Sequence, residues 1–178
     1  MRTSTLCHLG TPGYKTLRQG RRSMEGHAYH LRTSVRYPDD ALLVGSLANA
    51  VVESLLAWQD TAGFLLLAFV VMPDHVHVLG IKAGAEDLGR LFGRWKGSSS
   101  LKVNRILGRS GAFWQDGFYD HLVRREEDVA SIGRYIEHNP VRRGLVVAPE
   151  VFPYSSACPC LVEQLRGRRW LVDGMEGD

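Results

Sequence analysis

Polar and apolar residues alternate at period two from Ala28 to Val35, with Tyr29, Leu31, Thr33 and Val35 on one side, which predicts a short strand. Pro38, Asp39 and Asp40 then give a helix-start signal, and Leu43, Leu47, Ala50, Val51, Leu55 and Trp58 follow at helical spacing. Gly63 breaks that pattern. Phe64 to Met72 reads as a buried strand, Pro73 and Asp74 make a tight connection, and His75 to Lys82 alternates as its hairpin partner. A second helix begins near Glu86 and Asp87. Its apolar positions Leu88, Phe92, Trp95, Val103 and Ile106 share one face with the small Ser99 between them, and Gly97 with the serines after it allows a kink. Residues 108–111 read as a loop and 118–124 as a strand. Residues 126–139 read as a third helix, with acids at its start and Pro140 at its end. The order β-α-β-β-α-β-α is the ferredoxin-like split pattern of an α+β domain with a central antiparallel sheet. That topology hosts many functions and argues for none by itself.

Composition narrows the setting. A chain of 178 residues has room for one ordinary domain with a real core. Residues 1–23 are polar and basic and read as an arm. Residues 24–157 carry the periodic pattern, and 158–178 form a charged, Gly-rich tail. The longest apolar run, Phe64 to Met72, is too short to span a bilayer, and no apolar leader opens the chain. Three cysteines without a CxxC pair argue against a disulfide framework and against structural zinc, so Cys158 and Cys160 receive no role. A cytoplasmic protein is expected.

The net charge of +3 is modest, but its placement is uneven. Arg90, Arg94, Lys96, Lys102, Arg105 and Arg109 fall in a stretch without acids, and all but Lys96 cluster beside the apolar face of the second helix. Such a stripe suits phosphates, and equally a solvated helix face. Arg18, Arg21 and Arg22 in the arm can reach a polyanion or lie on a free tail. Trp95, Trp114 and Tyr119 are candidates for stacking on bases, Trp95 being better placed for the core.

Two constellations could carry chemistry. His75 and His77, at i and i+2 on a strand, stand side by side on one face, as a metal-binding pair or as two hydrogen-bonded half-buried histidines. Tyr135 and Asn139, at i and i+4 on the third helix, lie one above the other beside the stripe of Val129, Ile132 and Ile136. A phenol with an ordinary pKa of about 10 is a poor nucleophile until its phosphate target is polarised. His121 follows Asp120 on the fourth strand and reads as structural.

The segments VVMPDHVHVLGIK (Val70 to Lys82) and FWQDGFYDHLVRREEDVASIGRYIEHNPVRRGLV (Phe113 to Val146) resemble the REP-associated tyrosine transposases. These are relatives of the single-tyrosine IS200-like transposases that act on single-stranded DNA. The opening YKTLRQGRRSMEGHAYHLRTSV from Tyr14 and the closing YSSA from Tyr154 are similar to that family too, so the likeness covers roughly residues 14–157. The HUH motif falls on His75-Val76-His77, and the YIxxNP motif on Tyr135 to Pro140. The resemblance implies Tyr135 as nucleophile, with His75, His77 and Asn139 holding Mg²⁺ or Mn²⁺. It implies a 5′-phosphotyrosine intermediate on single-stranded DNA with hairpin structure, and a nucleoid-associated place in the cytoplasm. DNA is expected along Arg18, Arg21, Arg90, Arg94, Lys102 and Arg105. A monomer is favoured over a homodimer that exchanges the tyrosine helix. Two rivals remain: a hairpin-binding relative that does not cut, and a phosphoesterase in which water attacks.

Overall fold

The structure is a computed structural model and describes residues 23–36, 41–61, 63–124 and 128–165. Its elements are β1 (Ala28–Ser34), α1 (Gly45–Thr61), β2 (Phe64–Val71), β3 (His75–Lys82), α2 (Leu88–Leu107), β4 (Tyr119–Leu122), α3 (Val129–Glu137), α4 (Asn139–Arg142) and α5 (Pro159–Val162). The four strands form one sheet in the order β2-β3-β1-β4, antiparallel throughout. This is the α+β, ferredoxin-like arrangement that the hydrophobic pattern predicts.

Each sheet face carries its own core. Tyr29, Leu31, Val76 and Val78 point toward α1 and α2, where Leu47, Val51, Leu55, Phe92 and Trp95 meet them. Leu79, Val70 and Met72 point the other way, toward Ile136 and the partly buried Val129 and Ile132 of α3. β2 serves both cores by alternation, and a register shift between Leu66 and Ala68 inserts one residue that swaps which positions face which core. Phe64 and Leu66 therefore face the first core before the shift, and Phe69 and Val71 face it after. A continuous apolar run hides such a slip.

Several sequence expectations change in detail. α2 runs unbroken through Gly97, and Ser98, Ser99 and Ser100 satisfy their hydroxyls on the carbonyls of Trp95 and Lys96 in the preceding turn. Ile106, assigned to the buried stripe, is 50% exposed because the last turn runs past the core. Leu43, assigned to the first helix, is exposed in a 3₁₀ turn before it, and α1 starts at Gly45. The helix-start residues Pro38, Asp39 and Asp40 lie outside the described residues. Pro140 does more than stop the third helix. It sits in the first turn of α4, where its missing N–H costs nothing. Trp114 is buried with Trp95 and donates its indole proton to Ser99 Oγ (2.8 Å), so both tryptophans belong to the core.

The chain closes over the edge of β2. Val71 N–H donates to Tyr154 O (2.9 Å) and Ser156 N–H to Phe69 O (2.9 Å), which covers an otherwise open strand edge. Leu161 and Leu165 then pack into the first core, so packed structure continues past the boundary at 157 drawn from composition. Cys158 and Cys160, to which sequence gave no role and no bond, are joined as a disulfide. Pro159 between them begins α5 and turns the chain so that their Cα atoms stand 5.4 Å apart. Among the described residues no helix is long and apolar enough to cross a membrane.

Candidate active site

Strand alternation sends His75 and His77 to the same sheet face as Leu79, the face on which α3 packs against β2 and β3. Both histidines are buried, and their Nε2 atoms lie 3.1 Å apart. The other nitrogen of each ring is also engaged. His75 Nδ1 donates to Asp74 Oδ1 at 2.7 Å, and His77 Nδ1 lies 2.8 Å from Nε2 of His30 on β1. Arg143 at the end of α4 reaches the Asp74 carboxylate at 3.4 Å. The neighbouring strands extend the polar surface: the His30 ring meets His77 edge to edge, 5.0 Å between centroids and 29° from parallel, and Tyr119 of β4 meets His30 edge-on at 6.0 Å.

Burial, reinforced by the charges of His75, His30 and Arg32, pushes His77 down to about 2. Burial likewise pushes His30 down to about 4, with His121 and Arg32 adding to it. His75 is also lowered by burial, although the Asp74 hydrogen bond opposes the shift. All three rings are therefore neutral near pH 7, the form in which an imidazole offers a lone pair. Two ligands at 2.0–2.1 Å and a right angle would stand about 3 Å apart, so the observed 3.1 Å spacing suits one divalent cation. Among the described residues no group of three or more His, Cys, Asp or Glu is placed to hold a metal. Among the described residues, a third ligand would be another kind of donor, such as the Asn139 amide oxygen.

The sequence builds α3 as a platform. Asp128 caps it, accepting from Ala130 N–H (2.9 Å) and Ser131 N–H (3.1 Å), and Ile136 anchors it in the second core. Glu137 is buried and accepts a hydrogen bond from Ser156 Oγ (2.7 Å) in the closing segment. Tyr135 is 46% exposed, with the Arg142 guanidinium 4.7 Å from its ring centroid. Asn139 donates its amide protons to the carbonyls of Tyr135 (2.9 Å) and Ile136 (3.1 Å), which turns Oδ1 away from the helix backbone. His75 and His77 thus lie on the sheet face that α3 covers, and α3 carries Tyr135 and leads into α4, which begins with Asn139.

The basic residues lie elsewhere. Arg18 and Arg21 are outside the described residues. α2 packs on the opposite sheet face, with α1. A groove of about 1530 Å³ runs between α2, β4 and the loop joining them, floored by Gly93 and Gly97, with Arg90, Arg105 and Arg109 in its lining. Asp116 and Asp120 also line it, so the groove is of mixed charge. Arg94 is tied to Glu86 through two bonds of 2.5 and 2.6 Å, and neither it nor Lys102 lines the groove. The helical wheel put these cations together, and tertiary pairing divides them.

Sequence reasoning passed over His30, Asp74, Arg143 and the Glu137–Ser156 pair. A signal for His30 existed. His30, Arg32 and Ser34 alternate with the buried Tyr29, Leu31, Thr33 and Val35, which marks a strand apolar on one face and polar on the other.

Comparison with known proteins shows the family and the fold. The family model described as "Transposase IS200 like" matches residues 23–139. A REP-associated tyrosine transposase of Haemophilus influenzae is 33% identical over 123 residues, which cover 62% of this chain and 70% of that protein. A solved REP-associated tyrosine transposase bound to a REP hairpin shares the fold, with a TM-score of 0.65 at 22% identity over 89% of this chain and 90% of the other. The family match defines the class, a transposase domain. The chain belongs to the IS200-like transposases, and within them to the REP-associated tyrosine transposases.

Proposed function

We propose that this protein is a metal-dependent single-strand DNA endonuclease and strand transferase acting at hairpin-associated sites, with Tyr135 as nucleophile. The observation that carries this reading is the convergence of the His75 and His77 Nε2 atoms, 3.1 Å apart, on the sheet face that seats the Tyr135 helix. Membership in the transposase family supports it, and the solved relative bound to a REP hairpin supports hairpin DNA as the partner.

His75, His77 and Asn139 would hold the cation. A bound Mg²⁺ or Mn²⁺ would supply charge neutralisation on a non-bridging phosphate oxygen. Two imidazoles favour Mn²⁺ over the harder Mg²⁺. Tyr135 Oη attacks phosphorus, the bond from phosphorus to the 3′ oxygen breaks, and the DNA 5′ phosphate is left on tyrosine. The phenol gives up its proton and the leaving oxygen takes one, so the products are a phosphotyrosine and a free 3′-OH. The bond to phosphorus is exchanged rather than hydrolysed, so a second 3′-OH reverses the step and joins a new strand. Arg142 over the Tyr135 ring places positive charge beside the phosphate path. Arg90 and Arg105 bind phosphates along α2, and the strand reaches the histidines over the edge at β4. The packing of α3 on its own sheet supports a monomer as the working unit, with tyrosine and histidines from one chain.

The test uses end-labelled single-stranded hairpin DNA, incubated with Mn²⁺ or with EDTA and run on denaturing gels. Cleavage with a covalent adduct, lost in EDTA and in Tyr135→Phe, is the expected result. Hairpin binding without an adduct under either condition would assign the chain to non-cutting DNA binders. Cleavage surviving in Tyr135→Phe would make water the nucleophile.

A further inference from the structure

We propose that His30 is a positioning residue for the histidine pair: able to donate or to accept, it supports His77 with its proton on either nitrogen, and so lets His77 bind a cation. The inference rests on the metal-site reading of His75 and His77. It follows from tracing the protons along the side chains. Asp74 as a carboxylate only accepts, so His75 Nδ1 must be the donor across their 2.7 Å contact. A neutral ring protonated at Nδ1 has a lone pair at Nε2. The 3.1 Å contact between His75 Nε2 and His77 Nε2 then needs the proton on His77 Nε2. That leaves His77 Nδ1 as an acceptor, and His30 Nε2 must donate to it across 2.8 Å. Without a cation, three hydrogen bonds run in one direction, from His30 through His77 and His75 to Asp74.

The metal-binding form requires the reverse at two positions. Both Nε2 atoms must present lone pairs, so the His77 proton has to sit on Nδ1. His30 Nε2 must then accept, with its own proton on Nδ1. Each ring keeps one proton and the net charge is unchanged; solvent exchange moves the protons. Only a side chain able both to donate and to accept at this point can serve the two forms. An imidazole can, and so can a carboxamide; a hydrocarbon cannot. The His30 and His77 rings lie 29° from parallel with their nitrogen edges facing, which suits a hydrogen bond along the ring planes in either direction. His75 has the more familiar carboxylate partner, and His30 gives His77 an equivalent support with a reversible direction.

The test is Mn²⁺ binding to the full chain without DNA, by isothermal titration, for wild type, His75→Ala, His30→Phe and His30→Gln. His75→Ala should abolish binding. His30→Phe should weaken it about ten- to a hundredfold, and His30→Gln should stay close to wild type. Long-range ¹H–¹⁵N spectra of wild-type histidines should show the His77 proton moving from Nε2 to Nδ1 when Mg²⁺ is added. Wild type that binds no Mn²⁺, or His75→Ala that binds as well as wild type, would overturn the metal-site reading and this inference with it. If His75→Ala loses binding while folded His30→Phe keeps it, the role of His30 alone is refuted. Should His30→Phe fail to fold, the spectra decide, and a His77 proton on the same nitrogen with and without Mg²⁺ would refute the inference.

Discussion

Replacing Ser156 by alanine should destabilise the helix that carries Tyr135, although the two residues lie on different segments. The Ser156 hydroxyl donates to the buried Glu137 carboxylate at 2.7 Å and accepts from Phe69 N–H at 3.0 Å. Ser156 is fully buried, and water has no ready route to replace the hydroxyl. A hydrogen bond to a charged group contributes about 1.5–3 kcal/mol, and an orphaned buried N–H costs about 1–3 kcal/mol. The two effects share one hydroxyl, so their combined loss is about 2–4 kcal/mol. That is a large part of the roughly 5–15 kcal/mol that holds a domain together. For a chain of this length it corresponds to a fall in Tm of roughly 5–15 °C. Urea and thermal unfolding followed by circular dichroism measure it directly, with the exposed Ser131→Ala as a control expected within about 0.5 kcal/mol of wild type. A Glu137→Gln partner in a double-mutant cycle should show coupling between the two sites. A Tm for Ser156→Ala indistinguishable from wild type would refute the claim that the closing segment locks α3 to the sheet.

Three further outcomes follow from the same geometry. Between pH 6.5 and about 4 the unfolded histidines take up protons that His30 and His77 in the folded protein refuse, so the metal-free protein should lose stability as pH falls through that window. The loss reaches as much as about 2–3 kcal/mol per pH unit, and equal urea midpoints at pH 7 and pH 5 would contradict it. Gly80→Ala would bring a Cβ to 2.2 Å from the Phe64 ring and 2.6 Å from Leu65 O, so it should cost about 1–3 kcal/mol in unfolding experiments; an unchanged midpoint would show that the hairpin gives way freely. Arg105→Gln should lower the slope of log binding constant against log salt by about 0.7–0.9, whereas Arg94, already paired with Glu86, should matter less; the opposite order would place DNA outside the α2 groove.

The fold was legible because its strands and helices differ in period. β1 shows its buried side at every second residue from Tyr29 to Val35, and β3 spans His75 to Lys82 as the alternation implied. β2 was legible in existence but not in orientation, since a uniformly apolar stretch conceals where the register slips between Leu66 and Ala68. The candidate site divides in the same way. His75 and His77 are neighbours within one strand, and Tyr135 and Asn139, expected on one helix, lie on either side of the break at His138 between α3 and α4, so local spacing alone still places each pair together. His30, Asp74, Arg143 and Ser156 join only through strand pairing or helix packing, so their partners are distant in sequence or hidden in a turn. The basic stripe is the opposite case. A helical wheel groups Arg90, Arg94, Lys102 and Arg105, but it cannot show that Glu86 engages Arg94 or that α2 lies across the sheet from the histidines.

The most direct test of the central claim is to map the covalent bond itself. Wild-type protein is incubated with single-stranded hairpin DNA and Mn²⁺, the DNA is trimmed with nuclease, and the tryptic peptides are analysed by mass spectrometry. A nucleotide phosphate attached to the peptide containing Tyr135, and absent after treatment in EDTA, is the predicted result. An adduct on the exposed Tyr119, or cleaved DNA with no adduct on any peptide, would contradict the assignment of Tyr135 as nucleophile.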